Sequence, residues 1–307
     1  MAKSLITGGA GFIGSNLCQR LLESGDEVVV VDNLSTGSAE NLDGKAVFYE
    51  IDIRSTDLFD VFKKEKPDYV FHLAAQIDVR KSVENPILDA DVNLLGTLNV
   101  LDCAHRSGVK KVIFASTGGA IYGDADTYPT PEGYYEQPLS PYGIDKLAAE
   151  KSLYFYKKVK GLDYTILRMS NVYGPRQNAK GEAGVMAIFI DSLLGGKTVF
   201  VNGDGGQTRD YVYVQDVARA FELAKRDSRY DKYNVGTGTE TSVNEIYDMI
   251  VDEMGLGIPR QHKEARPGEQ RRSCLDSSRI KSELGWNCEF DIRKGIKETV
   301  RWFQKAR

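Results

Sequence analysis

Short apolar runs alternate with helical repeats through the first half of the chain. Leu5-Ile6-Thr7 reads as a strand. Ile13, Leu17 and Leu21 then recur at i, i+4 and i+8 on one helix face, which Gly25 is placed to stop. Residues 27–32 follow as a strand with an unbroken apolar interior, the pattern of a strand covered on both faces. Residues 46–49, 69–73 and 111–116 repeat it, with helical stretches at 58–64 and 87–105 between them. Ser140-Pro141 has the form of a helix start, with serine as cap and proline as first helical residue, and strand 164–169 comes after it. Strand and helix in alternation predict an α/β fold built on a doubly wound parallel sheet of the Rossmann kind.

Beyond about residue 170 the rhythm breaks. Gly and Pro gather at Gly174-Pro175, Gly195-Gly196 and Gly203-Asp204-Gly205-Gly206, and Ser242-Val243-Asn244-Glu245 has the form of a capping box. Asp216 reads as a helix cap, hence structural. No low-complexity linker separates the halves, so a second lobe is expected to pack directly on the first and leave a cleft.

Composition narrows what such a fold serves. Of 307 residues, 41% are hydrophobic and 27% charged, enough for a sizeable core and no mark of disorder. Lys plus Arg number 40 against 44 for Asp plus Glu, a net charge of −4. Neither nucleic acid nor an anionic membrane is drawn by that overall field. The longest aliphatic run, Val28-Val29-Val30-Val31, falls far short of the ~20 residues that span a bilayer. One lysine and Leu5-Ile6 before the first glycines do not have the form of a signal peptide. Cys18, Cys103, Cys274 and Cys288 are isolated and the chain has three histidines. The expectation is a cytoplasmic chain with reduced thiols and no metal site. Glycine is the one skew, 30 residues where usage of ~7% would give fewer, and its placement marks where backbone turns sharply or approaches a ligand.

The first such place joins the first strand to the first helix: Thr7-Gly8-Gly9-Ala10-Gly11-Phe12-Ile13-Gly14. Gly8, Gly11 and Gly14 form a GxxGxxG turn, with Phe12 and Ile13 inside it, that brings backbone N–H groups and a helix N-terminus against a pyrophosphate. Asp32 ends the next strand, where a carboxylate accepts from adenosine ribose hydroxyls. It would also repel a 2′-phosphate, and no Lys or Arg lies between 33 and 44 to neutralise one, so Asp32-Asn33 favours NAD over NADP. Asp52-Ile53, after the third strand, is placed to fix the adenine.

Tyr142 and Lys146 stand at i, i+4 on one helix face. A nearby cation stabilises phenolate, drawing tyrosine down from ~10 toward the range of a general base. The preceding strand runs into Ser116-Thr117-Gly118-Gly119. A hydroxyl from Ser116 or Thr117 there would lie beside the nicotinamide and hand a proton between substrate and Tyr142.

With these motifs in place the chain resembles the extended short-chain dehydrogenase/reductases of the NAD-dependent epimerase/dehydratase family, in the branch acting on nucleotide sugars, and most of all the UDP-glucose 4-epimerases. The resemblance spans essentially the whole chain. It rests on TGGAGFIG (7–14), DN (32–33), DI (52–53), HLAA (72–75), NLLGTLNVL (93–101), STGGAIYG (116–123), SPYGIDK (140–146), NVYGPRQ (171–177), RDYVYVQDVA (209–218) and RPGE (266–269). By that resemblance Leu73, Ala74 and Ala75 line the cofactor cleft, Asn93 is the family's central asparagine, and Lys146 also holds the nicotinamide ribose. Asn171 would meet a substrate phosphate. Gln207, Arg209 and Arg266 fall in the substrate segments, the guanidiniums suited to diphosphate oxygens. Glu269 would accept from nucleoside ribose hydroxyls, and Val199, Phe200 and Val201 would pack near the uracil. Ser273 stands where a bulky side chain narrows the hexose pocket, which leaves room for an N-acetyl group. Gly118 stands where many of these epimerases carry the catalytic serine. Thr117 is then the nearest hydroxyl, with Ser116 behind it. The family's homodimer pairs helices 87–105 and 142–159 of two chains, and Leu153, Phe155 and Tyr156 supply apolar material for it.

Neighbouring 4,6-dehydratases and UDP-glucuronate decarboxylases carry acidic residues after the Ser/Thr, to remove the C5 proton and expel the C6 hydroxyl. Gly118-Gly119 occupies those places here. The expectation is a redox-neutral 4-epimerisation of a UDP-hexose, UDP-glucose and UDP-galactose with the UDP-N-acetylhexosamines beside them, through a transient 4-keto sugar and retained NAD. Elimination, decarboxylation or action on UDP-glucuronate are the alternatives, and a non-catalytic NAD sensor the remote one, opposed by the intact Tyr–Lys pair. Residues 1–169 are expected to hold NAD and 170–307 mainly the nucleotide sugar, with some segments packing back on the sheet.

Overall fold

The computed structural model describes residues 1–179, 184–265 and 270–306. Its first half runs β1 (Lys3–Thr7), α1 (Phe12–Glu23), β2 (Glu27–Asp32), β3 (Val47–Glu50), α2 (Leu58–Glu65), β4 (Tyr69–His72), α3 (Val79–Glu84), α4 (Pro86–Ala90), α5 (Gly96–Arg106), β5 (Lys111–Thr117), α6 (Gly118–Ile121), α7 (Pro141–Lys160) and β6 (Asp163–Met169). The strands lie parallel in the order β6-β5-β4-β1-β2-β3. Alternation along each strand builds two cores. Val28 and Val30 face one side of the sheet with Ile6, Ile113 and Phe71, while Val29 and Val31 face the other with Leu5, Val112 and Phe114. Each fully buried valine of that kind contributes about 1.5–3 kcal/mol relative to exposure.

Local signals set the helix ends that matter for the site. Gly25 takes φ +89° just beyond α1. The Ser140 hydroxyl accepts from the Gly143 N–H at 3.2 Å, Pro141 is the first residue of α7, and Gly161 closes the helix at φ +73°. The stretch 87–105 is not one helix. It divides into α4, a π-helical turn at Asp91–Leu95 and α5. The widened turn carries Asn93 inward, where its Oδ1 accepts from the Gln76 N–H and its Nδ2 donates to the Gln76 carbonyl, both at 2.9 Å.

The second half adds β7 (Asn171–Tyr173), α8 (Val185–Leu194), β8 (Phe200–Asn202), β9 (Thr208–Tyr213), α9 (Val214–Leu223), β10 (Lys232–Val235), β11 (Glu240–Ser242), α10 (Val243–Glu253), β12 (Gln261–Lys263), β13 (Arg272–Ser273), α11 (Ser278–Leu284) and α12 (Ile292–Lys305). Strand β10 pairs in parallel with β6 as the seventh strand of the large sheet. A small sheet places β9 between β11 and β13, with β7 also on β9, and β8 pairs with β12. Helices α8, α10 and α12 pack over these strands around Tyr173, Ile190, Val201, Ile246 and Val300. The capping box is present, the Ser242 hydroxyl accepting from the Glu245 N–H and the Glu245 carboxylate from the Ser242 N–H. Asp216 is not the cap of α9, whose cap is Tyr213. Its buried carboxylate instead accepts from the N–H groups of Glu289 at 2.9 Å and Phe290 at 3.2 Å, pinning the segment before α12.

Candidate active site at the carboxyl ends of the parallel strands

The glycine turn after β1 is a close-packed corner. Gly8 takes φ +71°, and a Cβ there would lie 2.6 Å from the Ala74 nitrogen, so the turn rests on the Leu73-Ala74 backbone. A Cβ at Gly14 would strike the Gly8 carbonyl oxygen. Gly11 caps α1 without any side-chain hydrogen bond, and α1 has no acidic residue in its first turn, which keeps that positive helix end open to an anion. Asp32 is buried at the end of β2, its two oxygens accepting from the N–H groups of Ala10 at 3.0 Å and Leu34 at 2.8 Å. This carboxylate therefore both braces the glycine turn and stands at the strand end.

Asn33 donates through Nδ2 to Asp52 at 2.8 Å. Arg54 grips the same carboxylate with Nε at 2.9 Å and Nη2 at 2.8 Å, and sends Nη1 to Asp91 at 2.6 Å. The Arg54 guanidinium holds the Asp52 carboxyl far below the usual carboxylate range. Arg54 is a cation near the expected ribose site that the motifs did not mark, and its charge is taken up by two carboxylates. Ile53 turns into the core under Gly96.

Beneath the turn runs a buried hydrogen-bond chain. The Thr97 hydroxyl donates to the Asn93 carbonyl at 2.6 Å, so His72 Nε2 donates to Thr97 at 2.9 Å and His72 Nδ1 accepts from Thr7 at 2.7 Å. Burial pushes the His72 imidazole down to about 3, which keeps it neutral. His72 lies inside a motif quoted above, yet only this chain of contacts shows what it does: it ties Thr7 to Thr97 and, through Thr97, to the Asn93 carbonyl.

Tyr142 and Lys146 occupy the first turns of α7. Lys146 is buried, its ammonium donating to the Ala115 carbonyl at 3.0 Å and lying 4.8 Å from the Phe114 ring centre. Burial brings it down to about 8, with Asp89 and Glu150 opposing. Tyr142 is half-buried, and desolvation, reinforced by Asp89, holds its phenol above the ordinary value. The phenol is thus raised in the folded chain, where the Tyr142–Lys146 spacing leads to the expectation of a lowering.

The two candidate hydroxyls separate cleanly. Ser116 is buried and donates to Glu150 at 2.6 Å. Glu150 is in turn gripped by Arg168, Nε at 2.9 Å and Nη2 at 2.6 Å. Thr117 is half-buried and caps α6, its Oγ1 accepting from the Ala120 N–H at 3.2 Å, which leaves the hydroxyl proton to be given elsewhere. A Cβ on Gly118 would lie 2.5 Å from the Leu275 side chain, whereas one on Gly119 would sit 3.9 Å from Thr117 Oγ1 and 4.0 Å from Ser273 Oγ. Thr117, Gly119 and Ser273 therefore border one space.

On the second lobe, Ser273 of β13 stands opposite Arg209 of β9. Arg209 donates to the carbonyls of Thr208 at 2.8 Å and Gln270 at 2.7 Å. Gln207 is buried and donates to the Asn202 carbonyl at 3.3 Å. Phe200 and Asn171 are exposed, while Val199 and Val201 point into the lobe's core. Arg266 and Glu269 lie outside the described residues. Among the described residues no group of three His, Cys, Asp or Glu converges to hold a metal ion, and no helix is long and apolar enough to cross a membrane.

Three solved structures share this architecture along their whole length. A UDP-glucose 4-epimerase of Thermotoga maritima, solved with UDP-glucose, is 46% identical, covers 99% of both chains and has a TM-score of 0.96. A UDP-glucose 4-epimerase of Thermus thermophilus in complex with NAD is 41% identical over 99% of this chain and 100% of that one, at a TM-score of 0.93. A UDP-N-acetylglucosamine 4-epimerase of Methanobrevibacter ruminantium, in complex with UDP-N-acetylmuramic acid, is 33% identical over 100% of this chain and 99% of that one, at 0.94. The sequence pattern of one family runs through residues 4–236, and on all these grounds the chain belongs to the NAD dependent epimerase/dehydratase family.

Proposed function

We propose that the chain is an NAD-dependent UDP-hexose 4-epimerase that interconverts UDP-glucose and UDP-galactose and also accepts UDP-N-acetylhexosamines. The observation that carries this reading is the grouping of Tyr142, Lys146 and Thr117 at the strand ends with Gly119, not a carboxylate, between Thr117 and Ser273. The groups needed to move the 4-hydroxyl proton are present. The acid a dehydratase would use at C5 is not.

The corner at Gly8, Gly11 and Gly14, closed to any side chain and opening on an uncapped helix end, fits a dinucleotide pyrophosphate, and Asp32 fits its adenosine ribose. Leu73, Ala74 and Ala75 would line that cleft, with Asn33, Asp52 and the Ile53 backbone toward the adenine. NAD, when bound there, would supply the reversible hydride chemistry at sugar C4. The chain's own part is proton transfer and placement. Tyr142 removes the 4-hydroxyl proton and later gives it back, with Thr117 passing it on, while Lys146 holds the phenol and the nicotinamide ribose in register. Arg209 and Arg266 on the diphosphate, Asn171 on a phosphate, Gln207 and Phe200 toward the uridine, and Glu269 on its ribose would anchor the half of the substrate that does not react. Binding energy from that remote half lets the hexose turn over without escaping. Ser273, small and buried, leaves space for a C2 N-acetyl group.

Residues 1–169 would thus serve NAD and 170–307 mainly the nucleotide sugar. A homodimer through α4 and α7 is supported by the exposed apolar side chains of Ile87 at 82% exposure, Ile144 at 53%, Phe155 at 47% and Val159 at 64%, whereas Leu153, expected at that interface, is buried in this chain's own core. Four free thiols favour a cytoplasmic setting, within galactose metabolism.

The test incubates purified protein with UDP-galactose and, separately, UDP-GalNAc. The expected result is the 4-epimer without accumulation of NADH. A 4-keto-6-deoxy product overturns the reading, and turnover of UDP-galactose alone overturns its N-acetylhexosamine part.

A further inference from the structure

The segment that carries Ser273 is fastened to the loop that follows α6, and the reaction outlined above uses none of the fastenings. Thr130, buried in that loop, forms a parallel bridge with Leu275. Its N–H donates to the Cys274 carbonyl at 2.9 Å, and its own carbonyl accepts from the Asp276 N–H at 2.9 Å. On the other side of Ser273, Gln270 Nε2 donates to the Gly123 carbonyl at 2.7 Å. Ser273 thus lies between two anchor points on the same loop. The Leu275 N–H also donates to the buried Asp210 carboxylate at 3.3 Å, and the Leu275 side chain lies over Gly118.

Between the anchors stands Arg272. Its guanidinium grips Glu240 of β11, with Nε at 2.9 Å and Nη2 at 2.6 Å, and lies 4.4 Å from the centre of the Tyr128 ring. The Tyr128 hydroxyl donates to the Arg272 carbonyl at 3.4 Å, and Glu240 accepts in turn from the Thr208 hydroxyl at 2.6 Å. One arginine therefore joins two strands of the second lobe to an aromatic ring of the first half. The two-pronged contact with Glu240 fixes the plane of the guanidinium, and the ring covers its face. These side chains are partly exposed, so the contact adds little to overall stability. What it supplies is position.

We propose that Arg272 and Tyr128 are positioning residues that hold the Ser273 wall toward Thr117 and so keep the transient 4-keto sugar enclosed until hydride returns to it. The inference rests on the epimerase reading. A Cβ on Gly119 would sit 3.9 Å from Thr117 Oγ1 and 4.0 Å from Ser273 Oγ, so the space there has one wall from each half of the chain. In the first half-reaction hydride leaves C4 for the bound nicotinamide and the 4-hydroxyl proton passes to Tyr142, which leaves a ketone at C4. The hexose must then turn over without the pocket opening to water. A wall that swings away lets the ketone escape. One UDP-4-ketohexose is then released for each NADH stranded on the protein, and that NADH has no ketone to which it can return hydride.

The experiment has two readouts. Wild type, Arg272→Ala, Tyr128→Ala and Tyr128→Phe are incubated with UDP-galactose, and the 4-epimer formed is measured beside the stranded NADH, read by its fluorescence. NADH stranded per epimer formed is expected to rise at least about fivefold in both alanine variants, the combined scale of one cation–π contact and one ion pair. Tyr128→Phe keeps the ring over the guanidinium and is expected to match wild type. A merely structural role lowers turnover and leaves this ratio unmoved, so wild-type ratios in both alanine variants overturn the proposal. The second readout needs no variant. Hydrogen exchange on the wild type is expected to show slow Thr130 and Asp276 amides, and exchange at the rate of a free loop overturns the fastening itself. Absence of any 4-epimer from the wild type overturns the epimerase reading and with it the enclosing role, while protected Thr130 and Asp276 amides would still show the fastening.

Discussion

The Ser116 hydroxyl donates to the Glu150 carboxylate at 2.6 Å, and that one hydrogen bond distinguishes two adjacent residues of the same chemistry. Ser116 belongs to a buried cluster with Glu150 and Arg168, whereas Thr117 faces the space beside Gly119 and Ser273. Ser116→Ala is expected to lower stability by about 1–3 kcal/mol, because a charged acceptor loses a buried donor, and to leave kcat nearly unchanged. Thr117→Val is expected to do the reverse, lowering kcat by roughly 10²-fold with little change in Tm. Thermal unfolding and a coupled epimerase assay on both variants check the pair.

Tyr142→Phe removes the proposed proton acceptor while leaving the ring in place. Turnover is expected to fall by at least about 10²–10⁴-fold, the range for loss of a general base, with NAD still co-purifying with the protein. Release of nucleotide by denaturation, followed by its quantification, separates loss of chemistry from loss of cofactor.

Lys146 carries a buried charge whose proton is lost at about 8 in the folded chain and at about 10.5 when unfolded. The folded state therefore binds fewer protons between those values, and stability rises with pH across that window. Below it, holding the ammonium in the core costs on the order of 3 kcal/mol. Lys146→Met is expected to raise Tm at pH 7 while abolishing activity, with the gain shrinking as pH climbs from 8 toward 10.5. Calorimetry at several pH values follows it.

Gly118 and Gly119 are neighbours with opposite tolerance. A methyl at 118 meets Leu275 at 2.5 Å, so Gly118→Ala is expected to destabilise by about 1–3 kcal/mol through overpacking. A methyl at 119 makes contacts no closer than 3.9 Å, and Gly119→Ala is expected to keep or slightly raise Tm. Its effect falls on substrate turnover instead. Denaturant midpoints for the two variants give the comparison.

Ser273→Tyr fills the space that a C2 N-acetyl group would enter. The ratio of kcat/KM for UDP-GalNAc to that for UDP-galactose is expected to fall at least about tenfold, the scale on which a hydrophobic pocket discriminates by size. Equal losses for both substrates would place the N-acetyl group elsewhere.

What could be read from the sequence was local. The bounds of β2 follow from an apolar run, and the start of α7 from Ser140-Pro141, because each depends on residues adjacent in the chain. The glycine turn and the Tyr142–Lys146 spacing are legible for the same reason. The π-helical turn is not, since it is the pairing of Asn93 with Gln76 that widens a helix whose periodicity looks continuous. Asp216 has the composition of a cap, but its partners Glu289 and Phe290 come from the far end of the chain. The tie from Glu150 to Arg168 likewise joins elements that no periodicity relates.

The seventh strand has a bearing on synthesis. Until residue 235 has left the ribosome, β6 has no neighbour on its outer side, and a nascent N-terminal half displays a bare row of backbone donors and acceptors. Such an edge is a template for intermolecular pairing. A fragment ending at residue 169 would keep that edge for good, so truncation yields an aggregation-prone piece, and the two halves of the chain stand or fall together during biogenesis.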